Sequence, residues 1–76
     1  MTPDEVERCL DTGREALVLL AAMVVRGERS RQETCERAQA EHDALLDLLD
    51  AAPASEHGKI HDLLLRYEMM IRSLVS

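Results

Sequence analysis

Apolar side chains near the start of the chain fall at Val6, Leu10, Leu17, Leu20 and Val24, with Gly13 on the same series. The spacings of 4, 3, 4, 3 and 4 residues place all six on one side of an α-helix. A start signal precedes them. Thr2 suits the N-cap, Pro3 the first helical position, and Glu5 the acidic place of a capping box. The pattern predicts a helix over about 3–26. Gly13 costs about 1 kcal/mol against Ala inside a helix. Two readings of it stand: a point of close approach by another helix, or a weak spot.

From Arg26 to Thr34 no side chain is strongly apolar. Gly27 sits where a helix can stop, and Ser30-Arg31-Gln32-Glu33 repeats the capping-box pattern. These signals predict a turn near Gly27 to Ser30. The competing reading is one continuous helix from Pro3 to Asp50, because Val24 and Cys35 lie about three helical turns apart. A second helix over about 31–51 carries its apolar face on Cys35, Ala38, His42, Leu45, Leu49 and Ala52, widened by Leu46 and Leu48. Pro53 disfavours helical geometry at Ala52, and Ser55 can cap the next helix. That third helix, over about 56–75, shows Ile60, Leu64, Tyr67, Ile71 and Leu74 at helical spacing. The two-residue alternation of a strand is nowhere present. The expected fold is therefore all-α, an antiparallel helical hairpin or three-helix bundle within a single helical domain, 1–76.

The apolar faces are wider than such a bundle needs. Ala16 to Val25 is apolar all round, and Leu63-Leu64-Leu65 and Met69-Met70-Ile71 each cover more than one stripe. A chain of 76 residues buries a limited core. Phe and Trp are absent and Tyr67 is the one aromatic, so aliphatic packing carries the fold. The surplus apolar surface predicts completion by a partner protein or by a second copy of the chain.

Charge narrows the partner class. Nine basic against fifteen acidic side chains give a net charge of −6, which argues against nucleic acid and anionic membrane. The longest apolar run, ten residues from Ala16 to Val25, is half of the roughly 20 needed to span a bilayer. The opening Met1-Thr2-Pro3-Asp4-Glu5 is acidic, unlike the basic start of a secretory leader. The expected location is the cytoplasm.

Candidate chemistry is sparse. His57 and His61 share a helix face at a spacing that can hold a metal, but no third and fourth ligands stand at matching positions. Neither a metal nor a cofactor is expected. His42, on an apolar seam, reads as a half-buried packing residue rather than a catalytic one, which would need an oriented partner and a pocket. In a hairpin turning near Glu28, Cys9 and Cys35 lie roughly 18 Å apart along the helices. A disulfide needs Cα atoms within about 7 Å, so both are expected as buried free thiols. No phosphate-binding glycine loop, nucleophile elbow or carboxylate pair stands out, and no catalytic residue is assigned.

The order of parts resembles small export chaperones of bacterial flagella and type III secretion systems, the FliT-type flagellar chaperones in particular. Arg26-Gly27-Glu28 looks like the charged turn of that family. Glu36 to Leu49, charged first and then Leu-rich, looks like its second helix, and Ala51-Ala52-Pro53 with the Ile60–Leu74 helix continues the likeness. The needle-subunit co-chaperones of type III secretion are closer in length. The resemblance implies a chaperone or adaptor that covers an amphipathic helix of a secretion substrate or co-chaperone in an apolar groove, without covalent chemistry. On that reading Leu64, Tyr67, Met70, Ile71 and Leu74 contact the partner. Leu17, Leu20 and Val24, with Leu45 and Leu49, then form the interhelix or dimer seam. The alternative is a self-associating structural module, a homodimer or small helical oligomer.

Overall fold

The computed structural model of the chain, which describes residues 1–75, is a three-helix bundle. Helix α1 spans Pro3–Val25, α2 spans Arg31–Ala51 and α3 spans His57–Val75, with a short 3-10 turn at Ala54–Glu56 before α3. Among the described residues there is no strand.

The helix ends are built from local chemistry. The Thr2 hydroxyl accepts the Glu5 N–H at 3.3 Å and donates to the Glu5 carboxylate at 3.1 Å, a capping contact ahead of Pro3. At the other end Gly27 adopts φ +72°, the left-handed conformation that glycine takes at little cost. Its N–H donates to the Val24 carbonyl and the Glu28 N–H to the Met23 carbonyl, which satisfies the last carbonyls of α1 and turns the chain. A continuous first helix is thereby ruled out. Ser30 then caps α2, accepting the Glu33 N–H at 3.1 Å. Helix α2 stops at Ala52, held extended at φ −84°, ψ 150° ahead of Pro53. Ser55 is not a cap. It lies inside the 3-10 turn that leads without a break into α3.

One core joins the three helices: Val6, Leu10 and Leu20 from α1, Ala38, Leu45 and Leu48 from α2, and Ile60, Leu63, Leu64 and Tyr67 from α3. The seam of α1 lies inward as its spacing requires, with Leu17 and Val24 half-buried. On α2 the buried line is Thr34, Ala38, Leu45 and Leu48, rotated from the expected one. Thr34 takes the innermost place expected for Cys35, because its hydroxyl is satisfied by the Ser30 carbonyl at 2.8 Å. Leu48 is more deeply buried than Leu49, which is half-exposed. Helix α2 has to face both α1 and α3, so no single stripe describes it.

Gly13 marks a close approach. A Cβ at this position would stand 2.9 Å from Leu63 Cδ2, well inside van der Waals contact. The same glycine offers its carbonyl oxygen to the Tyr67 hydroxyl at 2.5 Å. An aromatic ring whose hydroxyl is satisfied can be buried entirely, and Tyr67 is. Burial raises its pKa to about 12, helped by the nearby Glu41 carboxylate and opposed by Arg37.

Candidate protein-binding groove

Between α1 and α2 runs an open groove of about 490 Å³. It exists because small side chains meet there: Cys9, Thr12 and Gly13 on α1, Ala44 and Ala51 on α2. Too small to close the gap, they leave the core residues Leu45 and Leu48 as its floor. Arg8 lies at the α1 edge, and Glu41 and Asp47 at the α2 edge. The walls are mainly aliphatic and the charge sits at the margins. This is the layout that takes an apolar side chain from the face of a partner helix.

The residues expected to contact a partner on α3 are placed differently. Leu64 and Tyr67 are buried in the bundle's own core and present no surface to another molecule. Met70 and Ile71 are half-buried against that core, Leu74 is half-buried, and Met70 and Leu74 line a smaller depression with Ala21, Val24 and Thr34. Leu20 and Leu45 are core residues. Leu17 and Leu49 are half-buried and packed against that core, and Val24 is half-buried too.

Exposed apolar side chains occur in each of the three runs expected to carry a surplus, and at Leu46 besides. Val18, Leu19 and Val25 on α1, Leu46 on α2, and Leu65 and Met69 on α3 are more than a third exposed. The groove leaves no mark in the spacing of large apolar residues. Its signal is the run of small residues at Cys9, Thr12 and Gly13, matched by Ala44 and Ala51.

Several polar side chains link the helices. Lys59 at the start of α3 reaches Glu7 on α1 at 2.7 Å and Glu56 at 3.3 Å. The hydrogen bond from Lys59 holds the Glu7 carboxyl below the usual range, and Glu7 followed by Glu56 holds the Lys59 ammonium above its own. His42 is half-buried, with Nε2 3.3 Å from Glu68 Oε1, and links α2 to α3. His57 is half-buried too. Its Nε2–H donates to the Ala52 carbonyl at 3.0 Å and so closes the end of α2, while His61 is exposed. The two therefore have different surroundings. Among the described residues no group of three His, Cys, Asp or Glu side chains could hold a metal ion.

Both cysteines are free thiols. Cys9, expected to be buried, is exposed, because it stands at the open mouth of the groove; Cys35 is half-buried. Among the described residues no helix is long and apolar enough to cross a membrane. No protein-family model, curated protein or solved structure shows significant similarity to this chain.

Proposed function

We propose that this chain is a non-enzymatic protein-binding module whose α1–α2 groove holds an amphipathic helix of another protein. The observation that carries the reading is the groove itself, an open and mainly apolar channel lined by small side chains of α1 and α2 above the core residues Leu45 and Leu48. The edges define the occupant's chemistry. Glu41 and Asp47 line the α2 side, with Arg8 on the α1 side, on a chain of net charge −6, so the partner helix presents an apolar stripe with Lys or Arg along the flank that meets α2. A helix of that kind aggregates when unaccompanied, and covering it is the work of a chaperone or adaptor. The likeness to export chaperones supports a secretion substrate or co-chaperone as the partner and the cytoplasm as the place of action.

Co-expression with the products of the genes flanking its own, then co-purification, tests this. The expected result is a stoichiometric complex that is lost in Ala44→Arg, which sets bulk and positive charge on the exposed groove wall. The same complex persists in Val18→Asp, on the far side of α1. A complex indifferent to Ala44→Arg, or no complex with any of these proteins, contradicts the reading.

A further inference from the structure

The outward side of α1, away from both the core and the groove, carries its own apolar surface. Val18 is 69% exposed, Leu19 53% and Val25 87%. Arg14, Glu15, Val18, Leu19, Ala22 and Arg26 surround a shallow depression of about 540 Å³ on this side. The charges are distributed by position. Glu15 stands at the N-terminal end of the apolar strip and Arg26 at its C-terminal end, roughly 16 Å apart along the axis. Arg14 is turned to Asp11 at 2.9 Å and Glu7 at 3.8 Å. Arg26 holds only the exposed Glu28, at 3.1 Å. Among the described residues Glu15 takes part in no ion pair.

A strip that is acidic at one end and basic at the other is complementary to itself run backwards. We propose that this face is the contact for a second copy of the chain, with the two α1 helices packed antiparallel about a two-fold axis between Leu20 and Ala21. That register sets Glu15 opposite Arg26 of the second copy, and Arg26 opposite its Glu15. It also sets Leu19 over Ala22 of the second copy, a large side chain against a small one, twice by symmetry. A like-directed pair would instead bring Glu15 onto Glu15 and Arg26 onto Arg26. The contact is one helix wide and falls short of the about 800 Å² per partner of a standard interface, so the dimer forms at high concentration and dissociates on dilution. The groove is lined from α1 by Arg8, Cys9, Thr12 and Gly13 and the contact by residues from Arg14 to Arg26, so the two surfaces share no residue and are separable by substitution.

Sedimentation equilibrium of the full chain from about 10 μM to about 1 mM tests the contact. The expected result is monomer at the low end and dimer at the high end. Glu15→Arg and Arg26→Glu should each weaken association on the order of tenfold, because each reversal is felt at both symmetric pairs. The double reversal should restore it. Val18→Asp should abolish it with an unchanged helical spectrum, since Val18 is exposed. A chain that stays monomeric throughout overturns the contact. So does a dimer unaffected by Val18→Asp, or single reversals that weaken association without rescue by the double one.

Discussion

The Tyr67 hydroxyl donates to the carbonyl oxygen of Gly13, joining the middle of α3 to the middle of α1. The only aromatic side chain of the protein is thus anchored where α3 comes close enough to Gly13 to leave no room for a Cβ. Removing the hydroxyl while keeping the ring isolates this bond. Tyr67→Phe should cost about 1 kcal/mol in urea unfolding, with the slope unchanged.

The burial of the same side chain gives a pH signature. Tyr67 is held at a pKa of about 12 when folded, against 10.0 for the free side chain. Between these values the unfolded chain has lost a proton that the folded chain retains, so rising pH favours unfolding. The contribution is fully present below pH 10 and is lost as pH rises through 12. Its size is on the order of 2 kcal/mol. Urea midpoints measured across this range should fall for the native chain, and this component of the fall should vanish in Tyr67→Phe.

Gly13 and Leu63 form a coupled pair. Ala at position 13 gains about 1 kcal/mol of helix propensity but drives a methyl into Leu63 Cδ2, 2.9 Å away. Leu63 is buried and cannot swing clear, so overpacking offsets the gain. Gly13→Ala should lower stability by up to about 1 kcal/mol in the native chain. In a Leu63→Ala background, which itself costs about 2–5 kcal/mol, the same change should become stabilising. Thermal melts of the four chains measure the sign reversal.

His57 closes the end of α2 through its bond to the Ala52 carbonyl. His57→Ala should lower stability by about 1 kcal/mol, and His61→Ala, at an exposed position, by much less. Because the effect belongs to a hydrogen bond, it should be unchanged by added zinc or by chelator. Differential scanning fluorimetry with and without each additive checks this.

Much of the fold was legible because its signals are local. Thr2 and Ser30 each act on a backbone N–H three residues on, so the start of α1 and a candidate start of α2 could be placed from residue type. The break after Val25 competes in the sequence with one continuous helix, and the positive φ at Gly27 decides it. The facing of α2 was less legible. Thr34 is buried because Ser30 supplies a carbonyl for its hydroxyl, which the spacing of apolar residues does not reveal. The burial of Leu64 and Tyr67 was not legible on α3, where they lie on the same helical series as a surface stripe would. Only the placement of α1 and α2 around them decides that they are core. The groove depends on small residues far apart in the chain, and nothing local marks them as neighbours.

The central claim, that the α1–α2 groove binds a basic amphipathic helix, can be read directly at Cys9, which stands at its mouth. In a Cys35→Ser chain Cys9 is the only thiol, and its rate of reaction with a thiol reagent reports access to the groove. The probes are two synthetic helical peptides with the same Leu stripe, one flanked by Lys and one by Glu. The Lys-flanked peptide is expected to slow Cys9 modification several-fold in a saturable way, with Ala44→Arg removing the protection and the Glu-flanked peptide giving little. Equal protection by both peptides, protection that survives Ala44→Arg, or no protection at all would contradict the account.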